Sequence, residues 1–284
     1  MGGGACGITC RSALTAGNPV CSLYLNKLSI AYSKYLSSIF EGWKKAAKKP
    51  LQSKGFLAAL QNFFCFLVLF ATLHTMIVTY YGKQFFKIQL GERTIAYNPI
   101  GKDSKEKGSR FGADIVLTSV RHADFNGADQ CAYGERQPFV ISGPGEYEVG
   151  GIFIKGFGTD TVYDKEKKVN TVFSVMFEGI NLCFLGSLAS ADSLSREVKE
   201  GLGEIDVLFT PITGGEELSA SDAYKLTLAL DAKVVVPMDF EHTKGSLETF
   251  IKEAGANSET MEKFTFKKKD LDDKEGAVVV LKAA

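Results

Sequence analysis

Histidine is scarce in this chain of 284 residues, which has only His74, His122 and His242. That limits any imidazole-rich metal centre, because a zinc site takes roughly three or four nitrogen, sulfur or oxygen ligands. Paired cysteines are lacking as well. The six cysteines, at 6, 10, 21, 65, 131 and 183, include no C-x-x-C spacing, which argues against a zinc ribbon or a disulfide framework. A reducing compartment, hence the cytoplasm, is the expected location. Net charge is absent: 33 lysines and arginines balance 33 aspartates and glutamates. No nucleic-acid partner is expected, since that would need a clustered basic surface. The basic residues Lys263, Lys267, Lys268 and Lys269 run straight into Asp270, Asp272 and Asp273, and read as a solvated strand end. No Gly-x-x-x-x-Gly-Lys-Ser/Thr loop occurs, which excludes that phosphate cradle. Gly186-Ser187 lacks the Gly-x-Ser-x-Gly frame of a serine-hydrolase elbow.

What is present is an alternation of strand and helix patterns from about residue 76 onward. Short apolar or alternating runs at 77–82, 85–90, 93–98, 113–118, 138–142, 145–155, 171–178 and 180–185 read as strands. Strand patterns at 206–210, 233–237 and 277–282 are interleaved with helix patterns at 192–202, 219–230 and 246–255. That order predicts an α/β domain with mixed sheets covered by helices. Gly143-Pro144-Gly145 and Gly150-Gly151 punctuate strands as turns, and the loop carrying Gly214-Gly215 is placed to line a pocket.

The strand at 113–118 runs into Ser119-Val120-Arg121-His122-Ala123-Asp124-Phe125. This stretch resembles the H-x-H-x-D-H motif of the metallo-β-lactamase-fold hydrolases, with Val120 and Phe125 at the positions of the first and last histidines. The resemblance extends through Phe139–Gly151, Asn170–Phe173, Asn181–Leu188, Asp206–Pro211 and Lys233–Phe240, in the family's order. It implies a four-layer αβ/βα sandwich of two mixed β-sheets over residues 76–284, similar to small stand-alone zinc-dependent hydrolases. It also implies that Ser187 stands where the family has a metal-bridging aspartate, and Asp239 where its last histidine follows a Pro-Met pair. A further histidine expected after the Gly-Gly strand pair has no counterpart in Gly156–Asp160.

Two readings of the remnant stay open. In one, His122, Asp124 and Asp239 converge and hold a single Zn, Mn or Fe ion, with Asp124 as the catalytic residue of an active metal-dependent hydrolase. In the other, His122 and Asp124 are polar residues closing a strand-to-helix turn, with Asp124 capping the helix. The second is preferred, because valine and phenylalanine offer a metal no lone pair and imply a repacked site. Val120 and Phe125 are then expected to be buried against each other and the neighbourhood of Leu185. The chain is accordingly read as a hydrolase-like pseudoenzyme with a degenerate metal site, no resident cofactor, and a binding or scaffold role. The partner is unknown, and a homo-oligomer stays open.

Residues 1–75 differ in kind. The start is rich in Gly, Ser and Cys and is expected to be disordered. Leu25, Leu28, Tyr32, Tyr35, Leu36 and Ile39 recur at helical spacing, and the almost wholly apolar run 56–73 predicts a further helix that just reaches membrane-spanning length. Three explanations compete for this extension: a membrane anchor flanked by Lys44, Lys45, Lys48, Lys49 and Lys54, a surface or partner-docking helix, and a start assigned upstream of the real one. The last is preferred, since the family-like segment opens on Met76. A membrane is a partner only if 56–73 is a genuine anchor.

Overall fold

The computed structural model describes residues 75–135, 137–255 and 258–284. The extension 1–74, with its apolar run, His74 and four of the cysteines, lies outside the described residues. Among those described, no helix is long and apolar enough to cross a membrane.

Fourteen strands among the described residues form two sheets. The first has six, in the order β13-β1-β2-β3-β4-β5: Lys263–Phe266, Met76–Tyr80, Phe86–Leu90, Arg93–Tyr97, Ile115–Leu117 and Phe139–Ile141. The second has eight, in the order β12-β14-β11-β10-β9-β8-β7-β6: Glu259–Met261, Ala277–Leu281, Val234–Met238, Val207–Pro211, Ile180–Phe184, Glu166–Phe177, Ile152–Tyr163 and Gly145–Val149. Both are mixed. β3, β4 and β5 pair in parallel in the first, and β9, β10, β11 and β14 in the second, while the remaining pairs outside β12–β14 are antiparallel.

Residue pattern explains the layers. β2 alternates buried Phe86, Ile88 and Leu90 with half-exposed Lys87 and Gln89, as expected of a sheet with one face on the core. β10 (Val-Leu-Phe-Thr-Pro) and β11 (Val-Val-Val-Pro-Met) are buried throughout, because central parallel strands are covered on both faces. The inner faces of the two sheets share one core that includes Phe86, Tyr97, Phe184 and Phe209. Stacked and edge-on rings tie it together: Tyr97 and Phe184 centroids lie 4.1 Å apart, Phe184 and Phe209 4.2 Å, and Phe86 and Phe209 4.9 Å. Outside the eight-stranded sheet, Val172, Cys183, Leu185 and Leu208 pack beneath α1 (Arg196–Leu202), α2 (Ala220–Leu230) and α3 (Ser246–Ala254). Outside the six-stranded sheet, Phe85, Ala96, Ile100, Val116 and Cys131 form a smaller cluster. This is the four-layer αβ/βα sandwich, with a thin outer layer on one side.

Element boundaries differ from the sequence pattern in places: β7 runs on to Tyr163, β8 starts at Glu166, and the helix of 192–202 begins at Arg196. The run 145–155 is a hairpin rather than one strand, turning at Gly150 and Gly151 with φ of +59° and +82°. β12 and β13 are additional edge strands of only three and four residues.

The chain's turns then converge on one end of the sandwich. The carboxyl ends of β4, β9, β10 and β11, the β1–β2 turn and the tip of the β7–β8 hairpin all meet there. Loops following strand ends are where α/β sheets place their sites, because a rigid scaffold there presents side chains that need not fill the core.

Candidate functional site

Beyond β4 the chain makes tight local turns instead of a helix: His122 N–H donates to Val120 O, and Phe125 N–H to His122 O. The segment is tied to β8 by the Thr171 N–H donating to Ser119 O. Asp124 therefore caps no helix, contrary to expectation. The next element is a single 3-10 turn, Ala128–Cys131, with Gly127 at its N-cap. The Asp124 carboxylate instead accepts from Ser104 Oγ at 2.5 Å and from the Tyr163 hydroxyl at 2.8 Å. Burial works to raise the Asp124 pKa, but these two hydrogen bonds, Lys83 and His122 outweigh it and hold the carboxyl below its ordinary range.

Tyr163 arrives from the hairpin tip, where Asp164 and Lys165 both have positive φ, as a two-residue type I′ turn requires. Val120, Phe125 and Tyr163 form a separate buried apolar cluster, at 1%, 0% and 9% exposure. The Phe125 and Tyr163 rings meet edge-on, 4.9 Å apart. Burial of Val120 and Phe125 was expected, but their neighbour was not. Leu185 packs in the cluster beneath the helices, and Tyr163 closes this one. The chain reversal between β7 and β8 brings the tyrosine in, a long-range effect that motif spacing does not carry.

The β1–β2 turn contributes Lys83 and Gln84. The Lys83 ammonium lies 3.6 Å from Asp124 Oδ2 and 3.9 Å from Asp239 Oδ2. It also sits 5.6 Å from the Tyr163 ring centre and 5.9 Å from that of Phe125. Burial works against its charge, but Asp239, Asp124 and Glu217 prevail and raise its pKa, so it stays protonated. Gln84 is fully buried: its Nε2 donates to Glu217 at 3.0 Å, Ser187 Oγ at 3.2 Å and Asp239 at 3.4 Å. Its Oε1 accepts from Asn98 Nδ2 at 3.0 Å. Ser187 is held in turn, its N–H donating to Asn170 Oδ1 at 3.0 Å. Gly186 before it is at φ +61°, where any Cβ would stand 2.2 Å from that same Oδ1. Burial, then the Asp239 charge, push the Glu217 carboxyl up to about 8, and burial raises Asp239 as well.

Lys83, Asp124, Tyr163, Glu217 and Asp239 line a cleft of about 480 Å³. His122, Asp124 and Asp239 all face it, together with Gly214 of the anticipated loop. They do not form one ligand set. His122 Nδ1 lies 3.5 Å from Asp124 Oδ2 and accepts the Asp124 N–H, whereas Asp239 approaches that pair with Lys83 between them. His242 stands on the rim, 3.3 Å from Glu106. Among the described residues no group of three or more His, Cys, Asp or Glu side chains is placed to hold a metal ion.

Residues 77–239, more than half of the chain, match the family described as the β-lactamase superfamily domain. The chain belongs to the metallo-β-lactamase superfamily. Within it, the chain is 28% identical to a candidate zinc-dependent hydrolase of the superfamily from Thermotoga maritima, with a TM-score of 0.58, covering 72% of this chain and 98% of that one. A candidate metal-dependent hydrolase from Parabacteroides distasonis shares the fold at 14% identity and a TM-score of 0.52, covering 73% and 94%. No curated protein matches.

Sequence reasoning missed Lys83, Tyr163 and Glu217 of the cleft wall in this superfamily member, and Gln84, which hydrogen-bonds Glu217. The only trace of the first two was a polar pair between the halves of an apolar hairpin, Tyr80-Tyr81-Gly82 and Phe85-Phe86. Glu217 follows the Gly-Gly loop without local pattern.

Proposed function

We propose that this metallo-β-lactamase-fold, hydrolase-like protein has a degenerate metal site and acts as a binding or scaffold module with little or no hydrolytic activity. The observation that carries the reading is the apolar cluster of Val120, Phe125 and Tyr163, buried at two positions where the motif frame has metal-binding histidines. The donors that remain do not fit a dinuclear zinc centre. Asp124 is engaged by Ser104 and Tyr163, Asp239 by Gln84 and Lys83, and an ammonium lies between the two carboxylates. Placing a divalent cation there sets it against a buried positive charge. No resident cofactor is part of this reading. A cytoplasmic location is, resting on Cys131 and Cys183, buried thiols without a disulfide.

One observation favours a second reading: His122, Asp124 and Asp239 do line the same cleft. A reduced mononuclear site for Zn, Mn or Fe would use those three, with Asp124 as the catalytic residue of an active hydrolase.

Elemental analysis of protein purified without chelator, before and after incubation with zinc, separates the readings. Less than one zinc per chain is expected in both samples. Near-stoichiometric metal that survives dialysis would overturn the degenerate-site reading.

A further inference from the structure

Lys83 is placed unlike an ordinary turn lysine. It holds a left-handed backbone conformation, φ +55°, which side-chain-bearing residues seldom adopt, and Asp239 does the same at φ +57°. The two are joined directly, since the Asp239 N–H donates to Lys83 O at 2.7 Å, and the Tyr80 hydroxyl donates to the same carbonyl at 2.7 Å. Such strain persists only where surrounding contacts over-determine it. Its effect here is to direct a side chain into the cleft that remains only 14% exposed.

The surroundings match the chemistry of an alkylammonium. Carboxylate oxygens of Asp124 and Asp239 lie within ion-pair distance on two sides. The rings of Tyr163 and Phe125 lie within cation–π range, about 6 Å. Phe125 thus has two consequences at once: phenylalanine at that position offers no metal ligand, and it gives the ammonium an aromatic face.

We propose that the cleft is an alkylammonium site whose resident cation is the chain's own Lys83, caged by Asp124, Asp239, Phe125 and Tyr163 in place of a divalent metal. The proposal rests on the degenerate-site reading and extends it: the positive charge between the carboxylates is supplied covalently. The site is filled from within, and a soluble cation enters only when that side chain is absent.

The test is Lys83→Ala with n-propylammonium, the fragment that this substitution removes. The full chain carrying Lys83→Ala should melt roughly 5–10 °C below the wild type, because two largely buried carboxylates lose their counter-charge. Tens of millimolar n-propylammonium chloride should restore at least half of that loss, whereas sodium chloride at equal ionic strength should not. Lys83→Met keeps the methylene stem and fills the space, so it should be destabilised but not rescued. A Lys83→Ala protein that melts with the wild type, or responds equally to both salts, would overturn the proposal. If Lys83→Ala is too unstable to melt, soluble yield of Lys83→Met/Asp239→Asn is read against Lys83→Met. Recovery on removing the unpaired carboxylate supports the cage, and no recovery refutes it. Zinc loading of the wild type is scored separately. Zinc taken up by the wild type counts against the degenerate-site reading, while the propylammonium response reports on Lys83 alone.

Discussion

Histidine at both of the motif-aligned positions, Val120→His with Phe125→His, tests the proposed repacking of the cleft most directly. Val120 is 1% exposed and Phe125 is fully buried, and both belong to the apolar cluster that Tyr163 closes. Loss of each apolar burial costs about 1.5–3 kcal/mol. The edge-on contact between Phe125 and Tyr163 adds about 0.5–1.5 kcal/mol. Each imidazole also brings polar nitrogens into a pocket with few free partners, at about 1–3 kcal/mol for each group left unpaired. Allowing for partial relaxation and for some hydrogen bonding to Asp124, the double variant should lose roughly 4–7 kcal/mol. At about 2–4 °C per kcal/mol for a domain of this size, the melting temperature should fall by roughly 8–28 °C. The assay is thermal unfolding followed by circular dichroism, with and without zinc. Zinc should recover little, because Lys83 still occupies the space between the carboxylates. Unchanged stability, combined with zinc-dependent stabilisation of about 2.7 kcal/mol or more at a hundredfold excess over Kd, would refute the reasoning. That outcome would reveal a hydrated cleft already shaped for metal.

The pH dependence of stability offers an independent check on the interior of the cleft. Glu217 is raised to about 8, so between its ordinary carboxylate range and pH 8 the folded state holds a proton that the unfolded state has released. Stability from this group is fully present at low pH and is lost as pH rises toward 8. Glu217→Gln keeps an acceptor for Gln84 Nε2 and should flatten the decline over that window in denaturant titrations, and an unchanged slope would assign it to other groups. The domain bounds 76–284 are likewise a proposal. Among the described residues, strands β1 to β14 form both sheets from Met76 onward, so the fragment starting at Met76 should melt within about 2 °C of the full chain. A markedly lower melting temperature would assign a packing role to residues upstream of it.

Sequence by itself determined most of the architecture. Alternation in Phe86–Leu90 and the all-apolar runs Val207–Phe209 and Val234–Val236 state which strands are half-buried and which are central, because side-chain period and burial are local properties. It also put Val120 and Phe125 at the positions where the resemblance to the motif implies histidines, since residue identity requires no coordinates. The hairpin hidden in 145–155 and the edge strands β12 and β13 were harder to read, because runs of three or four residues carry little periodic signal. Only the tertiary structure decided what fills the cleft. Gln84 reaches Glu217 and Asp239 across 133 and 155 residues of sequence, and Lys83 meets Asp124 from the β1–β2 turn. No spacing rule links residues so far apart. Their meeting is set by how two twisted sheets stack and where each turn leaves its strand, and so the charge that occupies the centre of the site became visible only once the chain was folded.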